Sequence, residues 1–454
     1  MKRRTWQIPL GVALLLLFGV FPVHAVVRFQ CPANLLTDGT GPGGVRVDNV
    51  TGFPTGETDN AAVVCIHLTA GDGWITMADK IQYPAPPGTP TGSGGWPQYI
   101  FGFHNVTGVP DNDVLMVGML ADVFSAPTLK VREGQDLYLT LTNVGMILRP
   151  DLFDPHSVHY HGFPNAAVIF DGVPDASAVA IPGASFTYFY RNVDPGTYLW
   201  HCHVEATEHM QMGMLGNLYV LSAQDGTPLG TCNGGAPCTK FAYTDGDGST
   251  GYDVDFPLQI LGFDKNFHDK HIGVQPLPFA GMEDNYPMFN GRGYPDTTLP
   301  RDAIPTPVDR DGVPLNPDPF LPDGKPAQTV SALITATQGQ KILLRVSSLS
   351  STTFHNIEIL GIPMTVVGKD AKILRGPDPD GAGPLLGINL FYGANSISLG
   401  GGQSADVILE TAGLPPPAAG TYNSYFVYAR ELEHLNNFQE RFGGMMTEIR
   451  IAAP

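Results

Sequence analysis

Short runs in this chain alternate apolar and polar residues, and turn-forming residues separate them. TLKVREGQDLYLTLTNVG, SFTYFYRNV, GTYLWHCHV and GNLYVLSA make a first set; FPLQILGF, AQTVSALITATQGQKILLRVSSLS, HNIEILGIPMTVVGKDA, SADVILET and GTYNSYFVYARE make a second. A period of two between Gly, Pro, Asn and Asp clusters predicts strands, and long helical periodicity is scarce. The expected fold is all-β, an antiparallel sandwich or barrel. The two sets echo each other: VREGQDLYLTLTN parallels ATQGQKILLRVSS, and DPGTYLWHCH parallels AAGTYNSYFVYARE, each ending near a glycine–methionine element. A repeat of roughly 150–200 residues predicts two copies of one sandwich. We place an N-terminal extension at residues 26–75, the first sandwich at 76–228, a connection at 229–250 and the second sandwich at 251–454. CNGGAPC and DGDGSTGYD mark the connection.

Residues 1–25 read differently. Lys2, Arg3 and Arg4 precede an apolar stretch, and Val23-His24-Ala25 resembles a cleavage site, so an export signal is expected. Gram-negative export into the periplasm, or beyond it, is the corresponding destination, with no membrane span after cleavage. Removing three basic residues leaves 22 Lys+Arg against 43 Asp+Glu, a formal charge of −21 instead of −18. So acidic a chain argues against nucleic acid as a partner and tends to concentrate cations. Five cysteines suit an oxidising compartment with one left over. Proximity favours Cys31–Cys65 and Cys232–Cys238, with the other connectivities open.

The leftover cysteine, Cys202, lies where the chemistry concentrates. Six of the thirteen histidines fall between His156 and His209, in HSVHYHG and WHCHVEATEHMQMGM. Alternate side chains of a strand face opposite ways. His201 and His203 therefore share one face and the Cys202 thiol takes the other, so one segment can serve two metal centres. Two imidazoles, a thiolate and a weak axial thioether are the ligands of blue copper, which His156, Cys202, His209 and Met214 supply. His159 and His161 also share a face and can meet His201 and His203. A structural zinc site would need neither a triplet facing two ways nor a methionine. Met210, Met212 and Met214 form a small cluster read as loop packing, with copper entry as the alternative. Asp residues in DGDGSTGYD and DRDGVPLNPDP could take calcium, with solvated loop acid preferred. Gly400-Gly401-Gly402 reads as a turn entering a strand. No nucleotide-binding glycine loop or Ser-His-Asp pattern stands in a suitable context.

HSVHYHG resembles the His-x-x-His-x-His motif of multicopper oxidases, and HCHVEATEHMQMGM their His-Cys-His…His…Met motif. The intervening segments HYHGFPN, FDGVPD, IPGASFTYFY and DPGTYLWHCH keep the family's order. The resemblance covers nearly all of residues 120–450 and implies two cupredoxin-like Greek-key domains. It implies type 1 copper on His156, Cys202, His209 and Met214. It also implies type 2 copper at His159 and type 3 copper at His161, His201 and His203. Catalysis would then run through Cys202, His201 and His203, with dioxygen as acceptor and a phenol or low-valent metal ion as donor.

Three departures modify that expectation. Five residues separate His203 from His209 where the family has three, which lets Met212 compete with Met214. The second half has no His-x-His pair; only His355 and His434 stand at suggestive places. No third domain is expected. In two-domain relatives and copper nitrite reductases, trimers place copper between chains, so a homotrimer with His355 or His434 reaching a neighbour's cluster is expected. A nitrite-reducing enzyme and a non-catalytic copper carrier or copper-handling protein are the alternatives. His67, His104, His268 and His271 are assigned surface or core roles.

Overall fold

The computed structural model describes residues 27–36, 54–76, 97–163, 166–192, 194–300, 330–376, 387–437 and 441–454. The export signal expected at 1–25 and the DRDGVPLNPDP stretch lie outside them. The first half contains β1 (Val63–Thr76), β2 (Pro97–Asn105), α1 (Val114–Gly118), β3 (Leu129–Arg132), β4 (Asp136–Gly145), β5 (His159–Tyr160), β6 (Ser185–Arg191), β7 (Gly196–His201), α2 (Ala206–Met212) and β8 (Leu215–Leu221). They form two facing sheets, β2-β1-β4-β6 and β3-β8-β7-β5. After the short strands β9 (Lys240–Phe241) and β10 (Gly251–Tyr252) come β11 (Val254–Leu261), α3 (Lys265–Ile272), β12 (Met288–Phe289), β13 (Ile334–Thr337), β14 (Lys341–Ser348), β15 (His355–Ile359), β16 (Met364–Lys369), β17 (Lys372–Ile373), β18 (Tyr392–Ala394), β19 (Ser396–Leu399), β20 (Gln403–Glu410), β21 (Tyr422–Ala429) and β22 (Met446–Ala452). These build the sheets β12-β11-β14-β20-β16-β17, with β18 on β16, and β13-β22-β21-β15-β19.

The repeat holds in the central pairings. β1 runs parallel to β4 as β11 does to β14, and β3 parallel to β8 as β13 does to β22. The sheets are therefore mixed, which corrects the antiparallel expectation: alternation reports which face is buried, not the direction of the neighbouring strand. A second correction concerns the extension. Its residues from Val63 onward form a central strand of the first sandwich, paired to both β2 and β4, because Val64, Ile66, Leu68 and Ala70 alternate into the core. Both favoured disulfides are present, Cys31–Cys65 and Cys232–Cys238, and Cys202 is the free, buried cysteine. In the connection, Asp245 is buried and caps its own turn, accepting from the Gly248 and Thr250 amides. Tyr243 there is buried and donates to Asp406.

Polar contacts lock the sandwiches together. Asp406 on β20 accepts from Thr197 on β7 at 2.6 Å, and Ser404 donates to the Thr197 carbonyl at 2.7 Å. Ser347 donates to Asn217 at 2.8 Å, and the buried Arg345 guanidinium lies over the Tyr219 ring. Buried polar groups are costly unless paired, so this interface has one register. It carries the turn before β20 to the edge of the first sandwich.

Two core histidines make the fold sensitive to acid. Burial drives the His67 ring down to about 3 and the His104 ring down to about 4. Below the ordinary value of 6.5 the unfolded chain takes up protons that the folded chain refuses, so stability is lost as pH falls from 6.5 toward 4. Each ring contributes on the order of 3 kcal/mol by the bottom of that range. The urea midpoint should fall across it, and a His67→Gln chain should show a shallower fall; an unchanged slope would count against His67.

Candidate metal centres

The first cluster is dry. His156, Cys202 and His209 are fully buried, and their donor atoms lie within 4.8 Å of one another. Both imidazoles present Nδ1 to the sulfur, at 3.8 Å from His156 and 3.2 Å from His209. The Ser157 amide donates to the same sulfur at 3.4 Å. His156 is held by a reciprocal backbone bridge to Ala180. Burial pushes the Cys202 thiol up to about 11 and the His209 ring down to about 4, and holds His156 well below its usual range. Three neutral soft donors converging in an apolar shell fit a copper ion, which would deprotonate the thiol on binding.

Met214 belongs with this group. The Cys202 amide donates to the Met214 carbonyl at 3.0 Å, which continues the His201–Leu215 pairing by one residue. Residues paired across strands share a face, so Met214 accompanies Cys202. Met212, also buried, ends α2 instead. The longer His203–His209 loop is this helix. It starts from Glu205 in left-handed conformation and stops at Gly213, whose amide returns to the His209 and Met210 carbonyls. Gly213 has φ +122°, and a Cβ there would sit 2.6 Å from the Phe101 carbonyl oxygen, so only glycine closes the loop.

Histidines that sequence reasoning left as spares clamp this helix. α3 is capped by Asp264, which accepts from the Asn266 and Phe267 amides, and it lies against α2 and β2. His268 sits between the Gln211 carbonyl, 2.9 Å from its Nε2, and the Tyr99 carbonyl beside its Nδ1, and its one N–H donates to one of the two. His271 meets Glu208 at 2.7 Å. Arg149 donates to the His271 carbonyl and pairs with Asp151. The i,i+3 spacing of HDKH was the available signal, but its partners are distant in sequence.

The second cluster joins β5 to β7, where His159 pairs with His201. His159, His161 and His201 place their donor nitrogens within 4.8 Å, and the His203 ring lies 4.9 Å from that of His159. Each of the three turns Nδ1 to a carbonyl: His159 to Asp171 at 2.7 Å, His161 to Gly402 at 3.2 Å and His201 to Cys202 at 2.8 Å. A carbonyl accepts only from N–H, so in each neutral ring Nε2 is the nitrogen that carries the lone pair. The Nε2 atoms of His161 and His201 stand 3.0 Å apart. Facing lone pairs repel unless a cation lies between them, and outward N–H to carbonyl contacts are how metal-bound histidines are oriented. The residues fit a copper ion here as well. Burial lowers His201 to about 3 and lowers His161.

Among the described residues, the second sandwich brings no imidazole to this cluster. A cavity of about 430 Å³ between the halves is lined by His159, His161, Asp171, Asp370, Gly402 and Ser404. His355 and His434 lie elsewhere, inside the second sandwich with Nδ1 atoms 3.2 Å apart. His355 is fully buried, which corrects the expectation that it reaches toward a neighbouring chain.

Paired β-sandwiches of the cupredoxin type, with a buried His-Cys-His cluster and a histidine cluster joined through one tripeptide, define a copper protein. Residues 105–225 match the family described as multicopper oxidase. It is similar to the multicopper oxidase MmcO of Mycobacterium tuberculosis, 28% identical over 278 residues, covering 61% of this chain and 46% of that one. It is also similar to copper resistance protein A of Pseudomonas syringae pv. tomato, 26% identical over 268 residues, 56% of this chain and 38% of the other. The chain thus spans less than half the length of the curated relatives it matches. Among solved structures, the blue copper oxidase from Nitrosomonas europaea shares the fold at TM-score 0.53 and 20% identity, with 85% of each chain covered. A copper nitrite reductase from Nitrosomonas europaea does so at TM-score 0.50 and 13% identity, covering 86% of this chain and 93% of that one.

Proposed function

We propose that this chain is an exported copper oxidoreductase. Copper bound at His156, Cys202, His209 and Met214 would accept single electrons from a phenolic or low-valent metal-ion donor for a second copper at His159, His161, His201 and His203, where dioxygen is reduced. The observation that carries this reading is the His201-Cys202-His203 tripeptide. Its thiol lies in one cluster and its flanking histidines reach the other, so a few covalent bonds connect the two. Catalytic weight therefore falls on Cys202, His201 and His203. A metal-ion donor is supported by the acid beside His209: Asp154 Oδ2 lies 4.0 Å from His209 Nε2, and Glu205 is exposed nearby. Carboxylates there would attract a cation and repel an anion. Export is supported by the two disulfides. Among the described residues no helix is long and apolar enough to cross a membrane.

Nitrite as acceptor is the second reading, favoured by the three-imidazole cluster, which suits a single copper. Copper per chain, electron paramagnetic resonance and oxygen uptake with a phenol and with Cu(I) separate the readings. We expect a type 1 signal, a second copper and oxygen consumption. A chain with both coppers that consumes no oxygen and releases nitric oxide from nitrite supports the second reading. One copper and no turnover with either acceptor would sink both.

A further inference from the structure

The second sandwich repeats the ligand positions of the first, and the hydrogen bonds give the correspondence residue by residue. In the first, the Cys202 amide donates to the Met214 carbonyl at 3.0 Å and the Met214 amide to the His209 carbonyl at 2.8 Å; in the second, the Ala429 amide donates to the Met445 carbonyl at 3.0 Å and the Met445 amide to the His434 carbonyl at 2.8 Å. Ala429 thus stands for Cys202, Met445 for Met214 and His434 for His209. The His161 amide donates to Leu199 and the Leu360 amide to Phe426, while His159 pairs with His201 as Glu358 pairs with Tyr428. Counting back three residues from His159 and from Glu358 reaches His156 and His355.

The correspondence is selective. The counterparts of His159, His161, His201 and His203 are Glu358, Leu360, Tyr428 and Arg430, so the histidine cluster has no copy. All three neutral ligands of the Cys202 cluster do have one: His355, His434 and Met445. The thiolate alone is replaced, and the Asn356 amide, whose counterpart Ser157 donates to the Cys202 sulfur, donates to Glu431 instead. The imidazoles keep the same sense, each presenting Nδ1 inward, with ring centroids 4.7 Å apart. Outside them, Asp284 lies 3.6 Å from His355 Nε2, where it orients the ring. Met445 is fully buried. A cavity of about 560 Å³ lined by Asp284, Glu433 and His434 opens onto the site.

We propose that His355, His434 and Met445 form a further copper site, a thiolate-free counterpart of the Cys202 site that holds Cu(I). Two imidazoles and a thioether are soft neutral ligands, the set that favours Cu(I) over harder divalent ions; the Glu431 carboxylate, 4.0 Å from His434 Nδ1, is held by the Asn356 amide. The acidic mouth gives a cation a way in. The site lacks the sulfur from which a blue chromophore arises. Only the choice of metal rests on the copper reading of the Cys202 cluster.

The full-length chain is loaded with excess Cu(I) under anaerobic conditions, desalted and assayed for copper per chain, then oxidised to record the blue absorption. We expect His434→Gln and Met445→Leu each to lose one copper equivalent while the blue absorption per chain matches the wild type. Ala429→Cys restores the fourth ligand and should add a second blue absorption of similar strength. The same chromophore should survive in Cys202→Ser/Ala429→Cys but not in Cys202→Ser. Copper content decides: equal content in wild type and His434→Gln, with the blue site loaded, overturns the proposal whatever Ala429→Cys does, and leaves His355 and His434 as a hydrogen-bonded core pair. A wild type without blue absorption would instead contradict the reading of the first site.

Discussion

A Cys202→Ser chain should be colourless and should oxidise neither phenols nor Cu(I) at a measurable rate, while keeping the copper bound by His159, His161 and His201. Serine is nearly isosteric, so the packing of this buried position survives, but a hydroxyl does not replace a soft thiolate toward copper. Even partners outside the ligand shell cost about 10–100-fold in metal affinity or activity when lost. Removing the ligand that joins both clusters should exceed that, with turnover down by more than about 100-fold. Visible absorption, copper content and oxygen uptake on one preparation measure this. Retention of the blue band, or of near-normal turnover, would overturn the role given to Cys202.

Gly402→Ala should give the opposite phenotype, a blue protein that receives electrons and cannot pass them on. Gly402 has φ +88°, and a Cβ there would meet His161 Nδ1 at 2.6 Å. The same glycine's carbonyl fixes the His161 tautomer. The methyl group both strains the turn and drives the ring out of its cluster, so the second copper should be lost and steady-state turnover should fall at least about 10-fold. Reduction of the blue band by donor should remain at the wild-type rate in stopped flow. His161→Ala should reproduce the pattern. If Gly402→Ala turns over normally, the second sandwich does not position this centre.

Most of the first centre could be read from sequence because its determinants are local. His201-Cys202-His203 lies within one strand and its end, where period two dictates which side chain goes where, and Met214 follows within one helix and a turn. The two-copy architecture could be read from VREGQDLYLTLTN and ATQGQKILLRVSS, which became β3–β4 and β13–β14. What stayed hidden depends on pairing between distant segments. The parallel partners of β1 and β3 leave no mark on alternation. His355 and His434 looked like remnants because alanine stands where the first half has cysteine, and His434 follows Ala429 at a shorter interval than His209 follows Cys202. Hydrogen bonds, not spacing, reveal that match. His268 and His271 act on Gln211 and Glu208 through contacts that no local pattern encodes.

That last contact changes what counts as the copper-binding unit. The segment bearing His268 and His271 follows the connection between the sandwiches, yet it grips the helix that delivers His209 from 57 residues downstream of Gln211. A half of the chain that carries no copy of the histidine cluster therefore braces the helix bearing His209 in the other half. The geometry of the His156, Cys202 and His209 cluster is thus set by both halves of the chain.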